Sequence, residues 1–146
     1  MYVHRDQDGK ITGRYTVAQE EGQEYLPDDS SELALLNTQN AKREEIRNAY
    51  STAVTAPQTV GGITYHGGFE SVIRLDAAKR LAEDLSQSDV TLFDVDNVGH
   101  TLSIADATEV IQTLGQQTQT DFAKKQGLLV DIENAANSAT ADGIAW

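Results

Sequence analysis

The residue types most suggestive of chemistry sit in Asp94-Val95-Asp96-Asn97-Val98-Gly99, a D-x-D-N-x-G run that opens like a calcium loop. Counted from Asp94, position five is Val98 and position twelve is Ala105. A calcium loop needs oxygen ligands at both places, the last a bidentate glutamate. The run therefore reads as a polar hairpin turn. Asp6-Gln7-Asp8-Gly9 fails in the same way.

The three histidines, His4, His66 and His100, fall in different segments. None has a second histidine or a cysteine at metal-ligand spacing. Gly61-Gly62 and Gly67-Gly68 are not followed by the lysine and hydroxyl residue that close a phosphate loop. Neither a nucleophile elbow nor a dinucleotide fingerprint is present. Carboxylates are plentiful but form no pair in an apolar setting, so their default place is a solvated face. The expectation is a protein that binds and does not catalyse, with no metal and no cofactor.

The chain has 146 residues, and its 23 acidic against 11 basic side chains give a formal net charge of −12. The acidic excess is spread along the chain and no segment forms a basic patch. Phosphate-driven nucleic-acid binding is excluded on that ground, and an anionic membrane surface would repel the chain. No cysteine occurs, so disulfides, thiolate metal sites and a cysteine nucleophile are ruled out. No run of apolar residues is long enough to span a bilayer. Met1–Asp6 lacks a basic stretch leading into an apolar one, so no signal peptide is expected.

The elements follow from periodicity. Residues 1–19 read as a β-hairpin turning at Asp6–Gly9, with Ile11, Tyr15 and Val17 on the return run and a bulge suggested by Gly13. A lone hairpin is marginal in water and must pack on something. Residues 20–29 are acidic, broken by Gly22 and Pro27, with Tyr25 and Leu26 as the apolar exceptions. Asp28, Asp29 and Ser30 offer N-caps to a short turn holding Leu33, Leu35 and Leu36. The polar run Asn37–Asn40 is the candidate boundary between an N-terminal β-containing segment, 1–38, and a mainly helical domain, 39–146. A helix is expected from about Ala41 to Thr55, stopped by Pro57. A Gly-Gly hairpin follows over 59–65. Phe69–Gln87 is expected as a helix whose single apolar stripe holds Phe69, Val72, Ile73, Leu75, Ala78, Leu81, Ala82 and Leu85. Strands over 90–95 and 100–104 precede a long final helix. On a heptad its seam carries Ile111, Leu114, Thr118, Asp121, Lys125, Leu128, Ile132 and Ala135, with a polar middle from Gln116 to Asp121. Gly115 and Gly127 weaken that helix by roughly 1 kcal/mol each, so it needs support from its own chain or from copies. The polar tail ends in Trp146, a residue that usually packs. The fold class is α+β.

Two stretches resemble known proteins. Met1-Tyr2-Val3 to Gly9-Lys10, then Gly22-Gln23-Glu24-Tyr25-Leu26-Pro27-Asp28-Asp29 and Glu32-Leu33, is similar to the opening of many small phage tail proteins. Lys42-Arg43-Glu44-Glu45-Ile46, Val60-Gly61-Gly62-Ile63-Thr64-Tyr65, Ala77-Ala78, Phe93–Asn97 and Thr101–Ala107, closed by a long helix, resemble an uncharacterised domain family. That family is found mostly at the C-terminus of phage tail-fibre assembly proteins. It often has tryptophan where Phe93 stands, and a more alanine-rich last helix.

The resemblance implies a phage tail-fibre assembly chaperone, acting in the host cytoplasm during assembly or staying on the virion tail. Its partner is then the distal part of the fibre, whose non-local pairing is slow and leaves edges exposed. The resemblance supplies no catalytic residues. In this reading the N-terminal hairpin adds strands to the fibre edge, through Tyr2, Val3, Ile11, Tyr15 and Val17, with Tyr25 and Leu26 beside them. Ile111, Leu114, Thr118, Leu128 and Ile132 then hold copies together as a homo-oligomer, expected as a trimer with the fibre. The alternative packing is a hairpin folded on its own chain and a last helix closing a monomeric bundle. The alternative function is a structural virion component, an adaptor or decoration of the fibre or baseplate.

Overall fold

Period-two alternation makes Tyr2–Arg5 (β1) a strand, and it pairs on both sides with antiparallel neighbours, Ile11–Tyr15 (β2) and Glu24–Tyr25 (β3), in the order β2-β1-β3. The computed structural model describes residues 1–18 and 23–146. The expected break at Gly22 lies outside the described residues. The chain is α+β and divides into two compact units, residues 1–43 with 131–145 and residues 44–130 with Trp146.

In the first unit the β1–β2 register matches Tyr2 with Tyr15, Val3 with Arg14, His4 with Gly13 and Arg5 with Ile11. Thr12 is left over, so the bulge expected at Gly13 sits beside it. The Asp6 turn closes on itself. Asp6 Oδ1 accepts from the N–H of Asp8 at 3.0 Å and of Lys10 at 2.9 Å, and Gly9 supplies the left-handed φ of 80°. The strand β3 is two residues long, too short to show a pattern in the sequence. The inward side of the sheet buries Val3 with Leu26 and Leu33, and Met1 and Ile11 pack against them.

Ser30 Oγ caps the next helix by accepting the N–H of Leu33 at 3.2 Å. That helix, Ser31–Thr55 (α1), is longer than expected. Asn37–Asn40 is helical and forms no break. Its polar side chains find partners inside and outside the helix: Thr38 Oγ1 donates to the Ala34 carbonyl at 3.0 Å, and Gln39 Nε2 to the Ile132 carbonyl at 2.9 Å. Propensity is a weak prior that such contacts override.

The second unit holds two hairpins. Gln58–Val60 (β4) pairs with Ile63–Tyr65 (β5) across Gly61 and Gly62, both at positive φ as a two-residue turn demands. After Phe69–Asp84 (α2), Asp89–Phe93 (β6) pairs with Gly99–Ser103 (β7). The 30-residue helix Ile104–Glu133 (α3) follows, its last three residues belonging to the first unit. The core gathers Tyr65, Leu75, Val90, Leu92, Val110 and Leu114. Trp146 does pack, edge-on to Tyr50 at 6.1 Å between ring centroids, with the Lys124 ammonium 4.5 Å over its ring. A last short helix, Ser138–Asp142 (α4), was not legible in the polar tail. Asn137 Oδ1 caps it, accepting the N–H of Thr140 at 2.9 Å.

The expected single stripe of α2 is two stripes. Val72, Leu75, Ala78 and Ala82 face the core, whereas Phe69, Ile73, Leu81 and Leu85 lie exposed on the other side. All eight are apolar, so composition could not say which four the core would take.

Candidate partner-binding surface

One side chain ties the N-terminal sheet to its helix. Arg5 Nε donates to Glu24 Oε2 at 2.6 Å, and Nη1 and Nη2 donate to the two oxygens of Glu32 at 2.5 and 2.9 Å. Nη1 also donates to the Gly9 carbonyl at 2.8 Å. The planar fork thus links β1, β3, the Asp6 turn and α1. It raises the guanidinium pKa, and it holds the Glu32 carboxyl below its ordinary value, chiefly through the hydrogen bond. Arg5 was not singled out in the sequence, where nothing marks it from other surface arginines.

With the sheet so fixed, its register sets a row of aromatics. Tyr2 lies opposite Tyr15 on one neighbour and opposite Tyr25 on the other. The three tyrosines therefore share one face, the one turned away from Val3. Tyr2 and Tyr25 meet edge to face at 5.3 Å. The Tyr15 side chain lies over Gly13, where a Cβ would come within 2.9 Å of its hydroxyl and 3.1 Å of its ring. Tyr15 and Tyr25 are exposed and Tyr2 half-buried. Rigid amphipathic rings of this kind anchor protein interfaces.

On its outer side β2 pairs with no described strand. Five consecutive residues, Lys10 to Arg14, line a groove of about 540 Å³ there, floored by Leu35 and Leu36 of α1. The run includes the bulge at Thr12, and the edge of β2 borders the groove. Lys10 and Arg43 both pair with Glu133, holding its carboxyl low, and Arg14 donates to Asn37 Oδ1 at 2.5 Å.

The expected contact residues thus separate. Tyr2, Tyr15 and Tyr25 form the outward row, and Val17 is exposed beyond the end of β2. Val3 and Leu26 are buried in the first unit's own core, with Ile11 packed against them; a partner cannot reach Val3 or Leu26 without unfolding the sheet. The expected oligomer seam is likewise covered within the chain. Ile111 and Leu114 are in the core, Thr118 is buried with its hydroxyl on the Leu114 carbonyl at 2.9 Å, Ile132 is fully buried and Leu128 half-buried. Intramolecular packing takes most of this seam, with Ala107 and Val110 of the same helix in the core beside Ile111 and Leu114.

The acidic run at Asp94 forms the turn between β6 and β7. Its Oδ1 accepts from Asp96 and Val98 at 2.9 and 2.8 Å, repeating the Asp6 arrangement, and Asn97 takes the positive φ that Gly9 takes there. Among the described residues no cluster of histidine and carboxylate groups is placed to hold a metal, and no helix is long and apolar enough to cross a membrane.

Comparison with known proteins gives a single result. No curated protein and no solved structure matches the chain. A family model, described as a domain of unknown function, DUF4376, matches residues 37–145, and the chain belongs to that family.

Proposed function

We propose that the protein is a phage tail-fibre assembly chaperone that binds the distal part of the fibre and promotes its folding and trimerisation. It acts by binding and not by catalysis, in the bacterial cytoplasm while the tail is built. The observation that carries this reading is the tyrosine row Tyr25–Tyr2–Tyr15, which ends on the edge of β2 that pairs with no described strand. A strand of an unfinished fibre would continue the sheet beyond β2 and lay its side chains beside Tyr15. The resemblance of the N-terminal stretch to small phage tail proteins, and of the rest to a domain found in tail-fibre assembly proteins, supplies the identity of the partner.

The test is co-expression with the neighbouring long fibre gene, tagging only this protein, and weighing the eluted complex by light scattering. The expected result is a stoichiometric complex with fibre that is insoluble alone, lost in the Tyr15→Ala/Tyr25→Ala variant. A fibre that is soluble alone and does not co-purify would overturn the reading and favour a structural virion component.

A further inference from the structure

The groove beside β2 carries the opposite sign to the chain around it. Its lining holds the cations Lys10, Arg14 and Arg43 and the anions Glu32 and Glu133. Neither anion is free to repel a carboxylate from outside. Both oxygens of Glu32 are taken by Arg5, and Glu133 is shared between Lys10 and Arg43. Arg14 has only a neutral partner among the described residues, the Asn37 amide oxygen. With Arg5 included, four cations stand against two anions, in a chain whose net charge is −12. All of these residues lie within the first unit.

Register decides what an added strand would meet. Arg14 lies opposite Val3 and so shares the side of the sheet that faces α1, whereas Tyr15 lies opposite Tyr2 on the outer side. A strand laid about 4.8 Å beyond β2 alternates its side chains between those two sides. Along Lys10–Arg14, about 17 Å of edge, roughly two or three of them enter the groove. There they lie over the half-buried Leu35 and Leu36 and beside Arg14. A second copy of this chain does not fit. Fully overlapped and antiparallel, β2 against β2 sets Lys10 opposite Arg14 twice, and like charges directly opposite are destabilising. An acidic strand is favoured for the same reason, and a carboxylate meets the Arg14 fork in two parallel hydrogen bonds. The charge of the rest of the chain opposes it weakly, since charges more than about 8 Å away are largely screened at physiological salt. We propose that the occupant of this groove is an extended fibre segment whose groove-facing positions, every second residue, carry carboxylate and aliphatic side chains, with one carboxylate on Arg14. This rests on the strand-addition reading above and names the chemistry of its partner.

The test uses the full chain labelled with nitrogen-15 and two blocked peptides of about seven residues, enough to run the length of the edge. In both, threonine alternates with the groove-facing positions. These are glutamate, valine and glutamate in one peptide and lysine, valine and lysine in the other. The glutamate peptide is expected to shift the amide resonances of β2, more weakly as salt is raised, and to bind at least about tenfold tighter than the lysine peptide. Arg14→Gln should weaken the glutamate peptide by about tenfold. Arg14→Glu, at an exposed position and so expected to fold, should reverse the preference, which loss of a merely structural arginine would not do. Should that variant not fold, the salt series and Arg14→Gln decide. Equal binding of the two peptides, or no shift at β2 at millimolar concentration, would overturn the proposal. Fibre captured equally by the parent and Arg14→Glu would overturn the acidic strand and leave the chaperone reading standing. Glutamate-selective binding with no capture of fibre would support the groove's chemistry and remove the fibre as its partner.

Discussion

His100 Nε2 lies 2.8 Å from Asp94 Oδ2, the residue that opens the turn between β6 and β7. The other oxygen of the same carboxylate takes two N–H groups of the turn. The His100 contact first, and then the Val98 N–H, hold the Asp94 carboxyl below its ordinary value. The sign follows from linkage. A carboxyl depressed in the folded state contributes stability that is present above its unfolded pKa, about 4, and lost as pH falls through the lower folded value. Asp94→Asn keeps an oxygen for the turn and removes the titration. Denaturant melts from pH 6 to 3 should show a shallower acid loss for the variant than for the parent. Parallel curves would mean that the pair does not couple to folding.

Leu75 and Leu81 sit on one helix and share a residue type, yet only Leu75 is inside. Leu75→Ala is expected to cost about 2–5 kcal/mol, the usual range for a buried leucine. Leu81→Ala should stay within about ±0.5 kcal/mol, as exposed sites do. Equal losses in urea melts would place Leu81 in the core and sink the two-stripe description of α2.

The glycines divide similarly. A Cβ on Gly67 would strike the backbone carbonyl oxygen of Ala56 and come within 2.9 Å of that of Val54. Backbone cannot give way as a side chain does, so Gly67→Ala should cost about 1–3 kcal/mol. Gly127, in α3, has open space around the same position. Gly127→Ala should stabilise by about 0.8–1 kcal/mol through helix propensity. Thermal melts of the two variants should move in opposite directions.

What the sequence made legible is local. Both aspartate turns follow from one carboxylate reading its own backbone and one residue that tolerates positive φ, Gly9 or Asn97. The Gly61-Gly62 hairpin and the bulge by Gly13 are of the same kind. The choice of covered face was not legible. Alternation puts Tyr2 and Val3 on opposite sides of β1, but only the packing of Leu26 and Leu33 tells which side is inward. A helix with apolar residues on two sides, such as α2, poses the same question. Side chains that bond far along the chain also escape local reading, as Gln39 on the Ile132 carbonyl does within an otherwise polar run.

Arg5 is the hub where such distant contacts meet, so its replacement should act on one unit alone. Lysine keeps the charge but cannot span Glu24, both oxygens of Glu32 and the Gly9 carbonyl with a single ammonium. The individual exposed pairs are weak; the effect comes from losing a fork that joins three elements and a turn. Arg5→Lys should speed hydrogen exchange at the amides of β1 and β3 and leave those of β6, β7 and the centre of α3 unchanged, because local openings draw on local contacts. Since Glu32 is held low by this fork, the parent's protection at β1 should fall as pH drops below about 4. The variant, already without the bidentate contact, should show a weaker fall. Exchange that quickens equally in both units would mean that the chain opens as a whole and that Arg5 holds no separable sheet.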